Sequence, residues 1–588
     1  MNLNTPVIRE IKYNEHALDD FQKDLENDPR SQELLLEYPT DYIIYCQPSK
    51  RNDGYEVYVG ETNDIGRRTL QHLNDDAKKR DDWNELAKRT DVNMFVIGHD
   101  HFNKSLTLDI ENRLMLYLSS VDQVKTVNNR RSNNQNKYYT SSEMEPLFSK
   151  IWRKLRQYKK DLFPIEQVIR DSAIFKASPF HSLTKEQANA QTLIMDKIKR
   201  AVLNDERGQL IFVEGEAGSG KTVLLSNLFY NINTELTDEI GHTAKNFLLI
   251  NHDQQLTVYK QIAKKLDLDR EDPDVVSKPT RFINQHGEED PVDIVLVDEA
   301  HLLWTQGKQA YRGKNQLHDI LKRAKVTVVI FDKHQTLTTE EYWKDDEIDA
   351  YRREAINQGN LIHLENQMRM DASSRTINWI RSLVYGKEIK PVPTDDRSYD
   401  LKIFEDVNDF EKAIKSHAST KESEEHGLSR MLATFDWEYI NNKSPENEDY
   451  WNVKVDEWQR PWNLQLPVDR QQRIKNKKLS WAEQPQTINE VGSTYTIQGF
   501  DLNYSGVIIG PSVKYRNGKI VFDSKFSRNK KAVQNRTLTG GSKINASEQL
   551  LANELNVLLT RGVHGLYIYA VDDELRNALL KAQNEKSK

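Results

Sequence analysis

Cysteine is almost absent. Cys46 is the only one in 588 residues, which excludes an internal disulfide framework and any cysteine-based zinc cluster. Long apolar runs are missing as well. No stretch approaches the roughly 18 residues that span a bilayer. The N-terminus, MNLNTPVIREIKYNEH, has no apolar signal core. A cytoplasmic protein without membrane contact is the expectation. An excess of positive charge is also lacking, since the net charge is −7. That neither supports nor excludes nucleic acid, because only the groove that touches phosphate must be basic. No short internal repeat is visible. What is present is a soluble globular balance, with 37% hydrophobic and 29% charged residues. The length allows about three to five domains at roughly 100–200 residues each.

Charge is concentrated locally. Arg153–Lys160 reads RKLRQYKK. Between 514 and 543, Lys514, Arg516, Lys519, Lys525, Arg528, Lys530, Lys531, Arg536 and Lys543 face a single acid, Asp523. Phosphate contact is one reading of each stretch. A solvated helix face for the first and a loop for the second is the other.

The chain divides by pattern. Residues 1–37 read as a helical extension. Residues 38–145 hold three short strands, DYIIYCQP, YEVYVGET and NMFVIG. The first two meet at an Asn52-Asp53-Gly54 turn that favours a hairpin. SLTLDIENRLMLYLSS follows, with Leu106, Ile110, Leu114 and Leu118 at helical spacing. Residues 146–180 read as a helical linker. From 181 to 355, the apolar, β-branched runs QLIFVE, NFLLIN, DIVLVDE and VTVVIF alternate with helical patterns. That is the signature of a parallel sheet covered on both faces. A second set of such runs (LIHLE, LKIF, SRMLATF, SGVIIG and GLYIYA) occupies 356–588. Insertions at about 436–482 and 511–548 interrupt it. The predicted fold class is α/β.

GEAGSGKT at 215–222 matches G-x-x-x-x-G-K-[S/T] in full, after a strand and before a helix, as a phosphate-binding loop requires. Gly215, Gly218, Ser219 and Gly220 let backbone N–H groups wrap phosphates, and the following helix N-terminus adds its positive end. Lys221 would hold the β- and γ-phosphates of ATP, and Thr222 would coordinate Mg²⁺. Asp298 and Glu299 close the strand DIVLVDE. Asp298 is placed to hold Mg²⁺ and Glu299 to polarise the attacking water.

The order of the next motifs resembles superfamily 1 helicases, particularly the Schlafen-like helicase domains of bacterial proteins. The resemblance covers about 400 residues and implies two RecA-like lobes with ATP between them. LTKEQ offers Gln187 as the adenine reader. IFDKHQ offers Gln335 as the γ-phosphate sensor, although the commoner pattern is G-D-x-x-Q. ENQMRM offers Arg369 as an arginine finger. VGSTYTIQGFD resembles the segment that joins nucleic acid to the second lobe. VLLTRGVHG offers Arg561 for the γ-phosphate.

The N-terminal constellation resembles another family. YIIY (42–45), YVG (58–60), DIGRRTLQH (64–72) and DIEN (109–112) together resemble the GIY-YIG nucleases, with Ile43 in place of the first glycine. Arg68 and His72, four residues apart, share one helix face. Glu111 can hold a divalent cation through a carboxylate oxygen. The resemblance implies that Tyr45 is the general base, that Tyr58 and Arg68 steady the phosphate, and that Glu111 binds the metal. Asn128, in VNNR, matches that family's late asparagine.

Trp437, Trp451, Trp458 and Trp462 fall within about 26 residues. They either stack on bases or bury an irregular segment. The expected protein is an ATP-dependent DNA helicase or translocase with a metal-dependent endonuclease at its front, using ATP and Mg²⁺ on DNA rather than RNA. A protein partner or self-association is compatible with this. By analogy alone, anti-phage defence or DNA repair is the setting. An ATP-gated clamp that regulates the nuclease without unwinding is the alternative.

Overall fold

The computed structural model describes residues 3–48, 54–128, 138–215, 218–305, 307, 311–364, 370–418, 428–441, 443–477, 479–497, 500–537 and 543–585. The turn at Asn52-Asp53 and the position of Arg369 lie outside them. Two compact units emerge. One comprises residues 1–188 with 226–242 and 258–275. The other comprises 189–225, 243–257 and 276–588. The fold is α/β throughout.

The first unit is built on a five-stranded sheet of order β1-β4-β2-β3-β5. The strands are β1 (Val7–Lys12), β2 (Thr40–Cys46), β3 (Tyr55–Thr62), β4 (Val92–Gly98) and β5 (Val124–Asn128). β1, β4, β2 and β3 run antiparallel to their neighbours, and β5 joins β3 in parallel. The helix Lys104–Ser120 packs Leu106, Ile110 and Leu114 into the core on the face of Ile43, Tyr45 and Phe95. Leu18, Phe21 and Trp83 cover the other face, with Tyr42 and Ile44.

β1 lies in the stretch expected to be only helical. VIREIK buries Ile8 but leaves most of its neighbours partly open, so it reads as polar although it pairs along the edge of β4. The basic helix Met144–Tyr158 explains how it is held. Lys150 Nζ donates to Leu3 O (2.5 Å), Lys154 Nζ to Pro6 O (2.7 Å) and Tyr158 Oη to Ile8 O (3.0 Å). Side chains four residues apart share a helix face. Those cations and that hydroxyl therefore tie down one extended segment.

Among the described residues, the two larger sheets of the second unit are wholly parallel. The first has order β11-β6-β10-β9-β7-β8. Its strands are β6 (Gln209–Gly215), β7 (Asn246–Ile250), β8 (Val276–Ser277), β9 (Val292–Asp298), β10 (Ala324–Phe331) and β11 (Leu361–Leu364). β11 corresponds to LIHLE, grouped in sequence with the second set of runs. It pairs instead with β6, Leu361 opposite Phe212. The boundary at 356 thus falls one strand early. The second sheet runs Asp400–Ile403, Gly562–Ala570, Leu502–Ile509, Ser429–Ala433 and Val491–Gly492. The insertions add antiparallel hairpins, Asn452–Val455 with Trp458–Pro461 and Val513–Arg516 with Lys519–Phe522.

The tryptophans of the first insertion are structural. Trp462 is wholly buried. The indoles of Trp437, Trp451 and Trp458 donate to Lys454 O (3.0 Å), Lys443 O (2.7 Å) and Glu411 (2.8 Å). Among the described residues, no helix is long and apolar enough to cross a membrane.

Two candidate catalytic sites

In the first unit, strand register decides which tyrosines meet. Tyr42 lies opposite Gly60, Ile44 opposite Tyr58, and Tyr45 opposite Val57. Side chains alternate along a strand, so Tyr42 and Tyr58 share a face and Tyr45 points to the other. The rings of Tyr42 and Tyr58 stack with centroids 6.0 Å apart. Gly60 is needed beneath them. A Cβ there would come within 2.5 Å of the Tyr42 ring and hydroxyl.

Tyr45, the expected general base, is not brought to this cluster. Its hydroxyl donates to Glu10 and accepts from Asn93 Nδ2 at 3.2 Å, and its ring stacks on Phe95. Tyr42, three residues earlier and thus of opposite parity, faces the cluster instead.

His72 completes the cluster. It ends the helix Ile65–Gln71, where the chain widens into a π-helical turn, His72–Asp76. Such turns recur at functional sites. Its Nδ1 is 2.7 Å from Asp76 Oδ2 and its Nε2 is 3.1 Å from Tyr42 Oη. The ring lies flat on Trp83 at 3.7 Å. Burial, and then the charge of Arg68, push the imidazole down to about 4. It is therefore neutral near pH 7. A carboxylate only accepts, so Nδ1 carries the proton and Nε2 accepts from Tyr42. Burial pushes the Tyr42 hydroxyl well above its ordinary value and raises Tyr58 too, while Arg68 pulls both back by charge and hydrogen bonding. Arg67 instead points out toward Asp64.

Glu111 sits on the helix Lys104–Ser120, nearly buried, and its charge reaches Tyr58. Asn128 is the register partner of Tyr58. Tyr42, Tyr58, Arg68, His72, Glu111 and Asn128 are thus grouped. Asp76 and Trp83 belong with them, although the sequence offered no signal for either beyond an acid four residues after His72.

In the second unit, the loop after β6 uses left-handed backbone at Gly218 (φ 88°) and Gly220 (φ 73°), a conformation costly for other residues. A Cβ on Gly215 would lie 2.4 Å from Ser219 Oγ. Lys221 opens the helix Lys221–Asn231, with Thr222 next to it. Its Nζ donates to Gly215 O at 2.6 Å and lies 3.5 Å from Asp332 Oδ2.

The sequence carries no signal for Asp332 beyond its place three residues before Gln335. Burial raises its carboxyl, but Lys221 and His301 outweigh that and hold it below its usual value. It accepts from Gln335 Nε2 at 2.8 Å. Gln335 Oε1 in turn accepts from Arg561 Nη2 at 3.2 Å. Arg561 follows the helix Ser547–Leu559 and is fully buried, donating also to Val557 O and Phe500 O. Asp298 ends β9 and accepts from the Glu299 backbone at 2.9 Å. Glu299 sits at φ 49°, with its carboxylate 3.4 Å from the buried His301. Non-glycine residues held there cost about 1–2 kcal/mol and cluster at functional sites.

Gln187 caps its own helix. Its Oε1 accepts from Thr184 N at 2.9 Å, and its N–H donates to Thr184 Oγ1 at 3.3 Å. In the basic stretch from 514 to 543, Lys514 pairs with Asp523 and Arg516 with Asp572. Lys525, Arg528 and Lys530 stay exposed.

Among the described residues, no group of three or more His, Cys, Asp or Glu side chains is spaced to hold a metal. Any cation would rest on one or two carboxylates, with phosphate and water completing its shell. That is how Mg²⁺ is commonly held, and Glu111 and Asp298 are hard-oxygen donors suited to it.

Comparison with known proteins divides the chain in the same way. Residues 208–572 match the Schlafen group 3, DNA/RNA helicase domain. Residues 40–121 match the GIY-YIG catalytic domain. An uncharacterized protein of Saccharomyces cerevisiae is 30% identical over 475 residues, covering 74% of this chain and 98% of that protein. Fold and sites define a nuclease-type domain ahead of a helicase-type domain. The chain belongs to the Schlafen group 3 helicase family and carries a GIY-YIG domain in front.

Proposed function

We propose that the chain hydrolyses ATP on nucleic acid, DNA in preference to RNA, and uses that turnover to deliver or regulate a cut made by its GIY-YIG domain. Genome maintenance or antiviral defence is the setting this reading favours. One observation carries it: the bonded series Arg561, Gln335, Asp332 and Lys221, which links the helix after the insertions to the phosphate-binding loop. A γ-phosphate would displace Gly215 O and Asp332 from Lys221 and draw on Arg561 through Gln335. Its loss on hydrolysis would let the series re-form. Such alternation of contacts around a third phosphate is how these enzymes convert turnover into movement. Asp298 and Thr222 would hold Mg²⁺, and Glu299 would orient water. Gln187 and Arg369 keep the adenine and finger roles that the family resemblance implies.

For cleavage, Tyr42 replaces Tyr45 as the proton acceptor. As water attacks phosphorus, its proton passes to the Tyr42 oxygen. The proton of Tyr42 passes to His72 Nε2, and Asp76 stabilises the imidazolium. The P–O bond to the leaving oxygen breaks, and solvent protonates that oxygen. Arg68 and Tyr58 steady the phosphate, with Asn128 beside them. A divalent cation at Glu111 would supply charge neutralisation.

Steady-state ATPase with and without single-stranded DNA tests the first half. Stimulation is expected in the wild type, with a loss of at least about a hundredfold in Lys221→Ala. Equal rates in the two proteins would remove the reading.

A further inference from the structure

After the hairpin strand Lys519–Phe522, the second insertion reads DSKFSRNKK over residues 523–531 and sets one aromatic ring among cations. Phe526 is 45% exposed. A lone exposed apolar side chain is ordinary, but this one is held in place. Lys514 Nζ lies 3.5 Å from the centroid of its ring, well inside the ~6 Å within which an aromatic face attracts a cation. Asp523 Oδ2 fixes that ammonium at 2.9 Å. Asp523 also holds the backbone of the segment, accepting from Lys525 N at Oδ1 (3.2 Å) and from Phe526 N at its carbonyl (3.1 Å). A fixed cation therefore covers one face of the ring, and the exposed area belongs to the rest.

The next residues alternate. Phe526, Arg528 and Lys530 are exposed, whereas Ser527 and Asn529 between them are buried. The buried pair anchors the segment. Ser527 Oγ and Arg528 N donate to Phe435 O at 3.4 and 2.8 Å. Asn529 Nδ2 donates to Glu554 Oε2 at 3.2 Å, and its Oδ1 accepts from Tyr495 Oη at 2.8 Å. Lys531 O accepts from Thr339 N at 2.9 Å. Among the described residues, no ion pair engages Lys525, Arg528 or Lys530, although Lys514 and Arg516 nearby are both paired. Three uncompensated cations and a pinned ring thus share one exposed, firmly tied segment.

We infer that residues 525–530 form a binding strip for single-stranded nucleic acid. Phe526 stacks on an unpaired base, and Lys525, Arg528 and Lys530 take the phosphates around it. The inference rests on the reading that the chain acts on nucleic acid, and adds which residues meet the strand. The chemistry is complementary. Every base has a π-face, so an aromatic platform between cations holds a strand of any sequence. In a duplex the bases already stack on one another and offer the ring no face. The strip therefore selects single strands. Because the segment is already ordered, little freedom is lost when a strand binds. An acidic protein segment would satisfy the cations but would have no use for the ring.

The test uses the full chain and fluorescence anisotropy of labelled oligothymidylate, oligouridylate and a duplex, each over a range of salt. Phe526→Ala is expected to weaken binding of whichever single strand the parent holds more tightly, by at least about fivefold. The salt slope should not change, because stacking releases no counterions. Duplex affinity should stay the same. Phe526→Trp should restore binding, since an indole also stacks. Arg528→Ala with Lys530→Ala should instead lower the slope by about 1.4, roughly 0.7 for each phosphate contact on a single strand. Melting curves should place all these variants with the parent, as expected of exposed side chains. If Phe526→Ala binds single strands like the parent, or loses duplex affinity equally, the inference fails while the nucleic-acid reading stands. If the parent binds none of the three, both fail.

Discussion

Arg561 Nη2 donates to Gln335 Oε1 at 3.2 Å, across 226 residues of sequence. Both side chains are buried. The arginine sits behind the helix Ser547–Leu559 and the glutamine just past β10. Gln335 also donates to Asp332, which faces Lys221. Two side chains, Gln335 and Asp332, thus stand between Arg561 and Lys221.

Replacing Arg561 with Ala should lower nucleic-acid-stimulated ATPase by at least about a thousandfold if it acts on the γ-phosphate. Gln335→Ala should break the series with a smaller loss. The pair should be non-additive, since residues in one hydrogen-bonded network couple. Steady-state rates of the two single variants and the double variant check this. Additive losses would separate the two residues.

Tyr42→Phe and Tyr45→Phe should behave oppositely. Loss of a general acid–base group costs about 10²–10⁴-fold in rate, so Tyr42→Phe should all but abolish nicking. Tyr45→Phe removes a bond to Glu10 and should cost stability, about 1 kcal/mol, while cutting stays within a few fold. Single-turnover cleavage with parallel melting curves distinguishes them.

His72 links stability to pH. Its folded pKa is lowered to about 4, by burial first and then by Arg68, from an ordinary 6.5. Between those values the unfolded chain binds the extra proton and the folded one does not. Its contribution is therefore fully present above about 6.5 and is lost as pH falls toward 4, on the order of 3 kcal/mol in all. His72→Gln should flatten that part of the stability–pH curve in chemical denaturation at pH 5 and 7.5. An unchanged slope would mean that His72 is charged in the fold.

The two basic stretches should differ in salt response. Lys525, Arg528 and Lys530 are exposed. Reversing all three should lower the slope of log affinity for single strands against log salt by about two. Lys154→Glu should leave that slope alone and instead loosen Val7–Lys12, which hydrogen exchange would report.

Much of this was legible in the sequence, for local reasons. The phosphate-binding loop and the buried parallel strands announce themselves within about ten residues, because apolar β-branched runs and glycine placement are local signals. What stayed hidden depends on distant pairing. Tyr42 and Tyr45 are equivalent until the register with Gly60 is known, and one residue of slip exchanges the faces. Val7–Lys12 is an edge strand with little burial, so its pattern looks polar. Leu361–Leu364 carries no mark of which sheet it joins. In Arg153–Lys160, a phosphate surface and a solvated helix face are equally open from the sequence, because the carbonyl partner of Lys154 lies about 150 residues away. Asp332 owes its importance to Lys221, which is remote in sequence.

ATP turnover and cleavage measured together on forked DNA, with wild type, Lys221→Ala and Glu111→Ala, test the central claim most directly. Two separable sites predict that Lys221→Ala loses DNA-stimulated ATPase but keeps Mg²⁺-dependent nicking, and that Glu111→Ala does the reverse. Nicking that persists in Glu111→Ala, or a wild-type ATPase indifferent to DNA, would contradict the account.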